Sequence, residues 1–297
     1  MSRPRFRWML ALLAAAGLLA AGCGDDTELV SSGDGGSGTG EQESDATDPV
    51  LLVEVTGAFT TPEMNFQNLP HLVVYPDGRM VQPGAQIMIY PGPALPALNV
   101  TGLSGEALEA IAGAARAAGL DRNDVDYGEP PVADAGTTVV TVVIDGETYV
   151  HSANALGLVA GDLGPSADDL GLTNEQVEAR QALEGFLAEV GDPSSLPGAG
   201  ESQTFSADRF RLWARPVAEV DAGVQPDADE PRPTTAEWTV EEVELSASDC
   251  IAAEGDAADA VASLLADANT LTRFESGGET WAIVARPVLP HEPTCVD

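Results

Sequence analysis

The sequence contains no lysine, and its 13 basic residues, all arginine, face 48 acidic ones in a chain of 297 residues. A formal charge of −35 at pH 7 argues against nucleic acid as a partner, because phosphate contacts need clustered cations. It argues equally against attachment to anionic lipid by charge. Cysteine is scarce, with three residues, and no second ligand cluster accompanies them to support a metal. The three histidines, His71, His151 and His291, have no second histidine three or four residues away, so none has a metal-ligand spacing. Phosphate loops and dinucleotide fingerprints are missing. Gly102-Leu103-Ser104-Gly105 falls one residue short of a serine-nucleophile elbow, and Ser104 reads better as a helix cap. Asp121, Asn123, Asp124 and Asp126 lack the alternation and the glycine of a calcium loop. No apolar stretch reaches the roughly 20 residues of a bilayer span. The sequence thus nominates no catalytic residue, no metal site and no cofactor.

What is present begins at the N-terminus. Arg3, Arg5 and Arg7 precede an apolar run from Trp8 to Ala21, which ends in small residues. A basic start, a short apolar core and a small-residue end make a secretory signal. The segment Leu18-Leu19-Ala20-Ala21-Gly22-Cys23 resembles the lipobox of bacterial lipoproteins. In that family the cysteine thiol receives a diacylglyceryl group and a dedicated peptidase cuts just before it. The family usually has leucine three residues before the cysteine; here that residue is Ala20, with Leu19 one position earlier. The resemblance implies a signal over residues 1–22, lipidation of Cys23, and residence on the extracytoplasmic face of a membrane. Two acyl chains hold far more firmly than one, since each buried methylene contributes about 0.8 kcal/mol.

Residues 23–48 are rich in Gly, Ser, Asp and Glu and cannot build a core. They read as a flexible tether with a root-mean-square reach of roughly 25–30 Å. With Cys23 acylated, Cys250 and Cys295 remain. In an exported chain they most simply pair with each other, free thiols or a metal pair being the alternatives.

Strand and helix signals alternate along the rest of the chain. Val50 to Phe59 reads as a strand. His71 to Tyr75 and Arg79 to Val81 flank Pro76-Asp77-Gly78 as a hairpin. Gln86 to Tyr90 is a further short strand candidate. Ser104 caps a helix that stops at Gly119. Thr137 to Ile144 and Glu147 to Val150 make a hairpin around Asp145-Gly146. Thr173 and Gln176 form a capping box. Phe210 to Val217 and Trp238 to Leu245 read as strands, with Asp221 to Thr235 as an acidic, proline-rich mobile loop between them. Asp256 caps a helix, and Thr270 to Glu275 with Thr280 to Val288 form the last hairpin around Gly277-Gly278. Hairpins alternating with single helices predict an α+β fold of antiparallel sheets with helices on one face. Two domains are expected, 49–191 and 205–297, joined by a Pro/Gly/Ser-rich linker over 192–204.

Two features suggest binding. Ala214-Arg215-Pro216-Val217 recurs as Ala285-Arg286-Pro287-Val288, and adjacent strands ending alike would bring Arg215 and Arg286 together as an anion site. Tyr90-Pro91-Gly92-Pro93-Ala94-Leu95-Pro96 is a stiff, extended segment whose Tyr90 and Leu95 could present a partner-binding edge. The alternative is a rigid connection that packs both side chains on the core. Residues 50–156, with VVYPDGRMV, IYPGPALPAL and the second Asp-Gly hairpin, resemble actinobacterial lipoproteins, and that resemblance implies no activity. The expected function is that of a membrane-anchored envelope protein that binds or scaffolds a protein partner. The rivals are an extracytoplasmic hydrolase without a local motif, and an inhibitor or stress module acting on envelope enzymes.

Overall fold

The computed structural model describes residues 47–158, 166–220 and 230–295. The signal segment, Cys23 and nearly all of the tether lie outside the described residues. The structure is α+β, built on two sheets. The first is antiparallel throughout, with seven strands: β1 (Leu51–Thr56), β2 (Leu72–Val74), β3 (Arg79–Pro83), β4 (Leu98–Gly102), β5 (Thr137–Ile144), β6 (Glu147–Asn154) and β7 (Ser202–Thr204). Their order is β6-β5-β1-β2-β3-β4-β7.

Turn chemistry fixes its hairpins. Between β2 and β3, Gly78 sits at φ 87°, and a Cβ there would lie 2.4 Å from the Leu103 carbonyl oxygen. Only glycine permits both that conformation and that approach. Between β5 and β6, Asp145 and Gly146 stand at φ 54° and 81°, the pair of left-handed residues that a two-residue hairpin turn requires.

Helices α2 (Gly105–Ala117) and α3 (Asn174–Val190) cover one face of this sheet; α1 is the short helix Pro62–Gln67. Ser104 caps α2 by accepting the Ala107 N–H, and Thr173 with Gln176 closes the expected capping box on α3. Ala107, Ile111 and Ala115 of α2 and Leu183, Phe186 and Val190 of α3 meet Leu51, Val53, Val140 and Val142 in the first core. The opposite face of the sheet carries Val73, Tyr75, Val81 and Leu98, which pack with Leu289 from the C-terminal segment.

The second sheet has the order β10-β8-β12-β11-β9. Its strands are β8 (Arg209–Pro216), β9 (Thr234–Glu237), β10 (Ser248–Glu254), β11 (Thr272–Ser276) and β12 (Glu279–Pro287). Alternation along β8 buries Phe210, Leu212 and Ala214 in a second core, against Ala258, Val261 and Leu265 of α5 (Asp256–Ala266). Helix α4 is the single turn Val217–Val220. The other face of β8 carries Arg211, Trp213 and Arg215. There α1 docks: the Phe66 ring packs against Trp213 at a tilt of 42° with centroids 5.9 Å apart, and Gln67 donates to the Ala285 carbonyl.

Several expectations need correction. The 192–204 stretch is not a free linker, because it holds a 3-10 turn, Pro193–Ser195, and then β7, which pairs with β4. Thr234 and Thr235, expected in a loop, belong to β9, which runs parallel to β11, so this sheet is mixed. Trp238 to Leu245 is not a strand; Trp238, Val240, Val243 and Leu245 are buried from irregular backbone, with the indole N–H held by the Val243 carbonyl. The N-cap of α5 is Gly255, without a side-chain cap bond, and Asp256 is the first helical residue. Gln86 to Tyr90 pairs with no strand. The halves expected as domains each carry one sheet, and the described residues form one compact unit.

Candidate functional site

The hairpin of β3 and β4 is closed by a long connection whose two ends are fixed. Gly84 N–H donates to the Ala97 carbonyl at 2.8 Å. Ala94 N–H donates to the Ala268 carbonyl, and the Gly92 carbonyl accepts the Thr270 N–H at 2.9 Å. The stem is thereby stitched to the turn between α5 and β11. Leu95 lies along it and packs against the second core, as the rigid-connection alternative held.

Beyond the stem the loop turns outward. Ile89 N–H donates to the Ile87 carbonyl at 2.9 Å, which places Met88 at the apex of a three-residue turn. Met88 is 99% exposed, Ile87 67%, Ile89 57% and Tyr90 68%. Four consecutive large apolar side chains thus stand in water. Tyr90, singled out from sequence, belongs to this patch; Leu95 does not. The exposure of Ile87, Met88 and Ile89 is not legible in the sequence, because two isoleucines and a tyrosine in one short run read as a strand. The signal that could have found them is an apolar run without alternation, closed at both ends by Gly and Pro.

The arginine pair resolves differently from expectation. β12 is antiparallel to β8, so Arg286 stands opposite Arg211 while Arg215 stands opposite Ala282. Arg215 and Arg286 are four residues apart along the ladder, about 13 Å, and form no joint anion site. Each is matched internally. Arg215 lies 4.3 Å over the Trp213 ring and is paired with Glu63 of α1. The arginine that shares a row with Arg215 is Arg273 on β11, across the small side chain of Ala282.

Arg286, 4% exposed, grips Glu292 with two bonds of 2.6 and 2.7 Å and donates to the Asn68 carbonyl. Glu292 also accepts the Leu289 N–H, and Arg211 stands 3.7 Å from it. Burial alone would raise the Glu292 carboxyl, but the bonds and charges of Arg286, with Leu289 and Arg211, outweigh it and hold the group below the usual range. Arg209 binds the Leu289 and Glu292 carbonyls, and Cys250 and Cys295 are joined as a disulfide, as expected. The C-terminal segment is therefore clamped between the sheets.

The histidines serve structure. His151 lies within β6 and is 2% exposed. Its Nε2–H donates to the Leu120 carbonyl, which leaves Nδ1 to accept the Tyr127 hydroxyl at 3.0 Å. Burial pushes that phenol up to about 12. His291 meets the Tyr75 hydroxyl at 2.8 Å, and burial lowers its pKa. His71 is exposed at the mouth of an apolar cleft of about 570 Å³, walled by Val53, Val55, Leu72, Leu156 and Leu187.

Two wall residues of that cleft, Asp134 and Ala155, have φ of 59° and 51°. The turn at Ala155 is braced by Arg180, 1% exposed, which donates to the carbonyls of Asn154 at 2.7 Å, Tyr127 at 2.7 Å, Gly128 and Ala155. No sequence pattern marks this arginine.

Ser104 caps α2 and donates to the Pro197 carbonyl. Within the Asp121–Asp126 cluster, Asp126 accepts from Gly128 and Gln176, and Asn123 accepts from Val150. Among the described residues no group of three or more His, Cys, Asp or Glu could hold a metal ion. No described helix is long and apolar enough to cross a membrane. Compared with known proteins, the chain matches no family model, no curated sequence and no solved structure.

Proposed function

We propose that this protein is an extracytoplasmic lipoprotein, held to a membrane through Cys23, that binds a partner with the loop Ile87–Tyr90. The observation that carries the binding role is the exposure of four consecutive apolar side chains on a stem fixed at both ends. Such a patch lowers solubility, and a chain this acidic has polar residues in abundance to replace it. A contact that removes the patch from water is the physical reason to keep it. Anchoring rests on the resemblance of the first 23 residues to a lipobox.

The hydrolase reading has no comparable support. The bonds of His151 go to the buried Tyr127 hydroxyl and a backbone carbonyl, and that of His291 to the buried Tyr75 hydroxyl, so neither ring holds a serine or cysteine nucleophile. A photo-reactive amino acid at position 88, with a second at the exposed turn residue Glu241 as control, tests the binding role in intact cells. An adduct of protein or lipid at 88 and none at 241 is expected. Absence of any adduct at 88 would count against the loop as a binding surface.

A further inference from the structure

We infer that the partner of the Ile87–Tyr90 loop is the surface of the lipid bilayer itself, so that the protein touches its membrane at a second point besides the acylated cysteine. This rests on the anchored, loop-binding reading above and names the partner of that loop.

A protein groove or sheet edge reads an extended segment on one face, so alternate side chains are buried and those between point away. Here adjacent residues 87, 88, 89 and 90 are all exposed by more than half, so apolar atoms surround the backbone on every side. A fluid apolar medium satisfies all four at once. The turn bond from Ile89 N–H to the Ile87 carbonyl also removes one polar pair that an apolar medium would leave unmatched.

From Gly78 to Gly105 the chain has no acidic residue, although it carries 48 over its length. The one cation in that window, Arg79, is paired with Asp77 at 2.6 Å. The loop can approach headgroups without carrying a carboxylate into them, whereas most of the surface would be repelled by anionic lipid. The order of residues also fits the depth profile of a bilayer: aliphatic side chains at the apex, then Tyr90 where aromatic rings favour the interface, then the Pro91-Gly92-Pro93 stem.

Only residues 24–46 separate Cys23 from Thr47, the first described residue, so acylation of Cys23 would keep the folded part beside the surface that holds it. Tethering raises the local concentration of bilayer, so a patch of four side chains that binds only weakly when free suffices here.

The test uses the acylated full chain purified from producing cells and reconstituted into phosphatidylcholine vesicles. Met88→Cys, Ile87→Cys and, as control, Glu241→Cys each add one reactive thiol for an environment-sensitive nitrobenzoxadiazole label; Cys250 and Cys295 are already joined. The expected result is a blue shift and brightening at both 87 and 88, with quenching by lipids brominated in the acyl chain, and neither at 241. Adding phosphatidylglycerol at low salt weakens the signal and added salt restores it. A water-like label at 88 on protein that stays with the vesicles overturns bilayer docking and leaves the anchor intact. A response at 88 without one at 87 overturns it also, since contact would then be one-faced. Protein that does not stay with the vesicles overturns the anchored reading on which this inference rests.

Discussion

Replacing Glu292 by glutamine removes one charge from the clamp that holds the C-terminal segment between the two sheets. Arg286 is 4% exposed and Glu292 13%, so solvent screens this pair little. Arg211 is the cross-strand neighbour of Arg286, so after Glu292→Gln two guanidinium groups face each other without the carboxylate between them. Breaking a buried pair by removing one partner typically costs 3–5 kcal/mol, and glutamine keeps one acceptor, so a loss of about 3 kcal/mol is expected. With a urea slope near ~3 kcal/mol per molar for a chain of this size, the unfolding midpoint should fall by about 1 M. Trp213 and Trp281 lie in the second sheet and report the transition by fluorescence.

The folded carboxyl of Glu292 titrates below its ordinary value of 4.5. The stability it contributes is complete above the unfolded value and is lost as pH falls through the folded one. The wild type should therefore lose stability below about pH 4.5, and the variant should lose less over that window. The double change Arg286→Met with Glu292→Leu removes both charges and should recover most of the loss. A single variant within 1 kcal/mol of wild type, or a double variant no better than the single, would refute the clamp as an energetic element.

Other outcomes follow from separate parts of the fold. Arg180→Met leaves the carbonyls of Tyr127 and Asn154 without their 2.7 Å donors; a loss of about 3 kcal/mol in urea unfolding is expected, with faster amide exchange in residues 127–128 and 154–156. Removing the disulfide by Cys250→Ser with Cys295→Ser opens a 45-residue separation; chain entropy sets about 4 kcal/mol as the ceiling of the loss, read as a lower melting temperature under non-reducing conditions. Met88→Asp touches a side chain that is 99% exposed; the melting temperature should stay within about 2 °C while solubility without lipid or detergent rises.

Legibility in the sequence tracked the range of the interaction. Asp145-Gly146, Pro76-Asp77-Gly78 and Gly277-Gly278 announce hairpins because a few adjacent residues determine the turn. Ser104, Thr173 and Gln176 announce helix starts for the same reason. Strand β10, SDCIAAE, has too little apolar content to be read locally; it exists because β8 pairs with it along its length. Strand β9 requires the parallel edge of β11, and β7 requires β4. The same limit governs the side chains. The repeated Ala-Arg-Pro-Val marks Arg286 as an anion-site residue, and only the fold reveals that Glu292 is the group it holds. Arg180 looks exposed until four carbonyls converge on it. The loop at Ile87 was misread in the opposite direction: its residue types favour strands, but no neighbouring edge pairs with it.

The proposal begins from a modified sulfur, and intact mass spectrometry of the mature N-terminal peptide tests it most directly. The account predicts a chain that starts at Cys23 and carries a diacylglyceryl thioether there. A mature chain that starts elsewhere, or bears an unmodified Cys23, would contradict it.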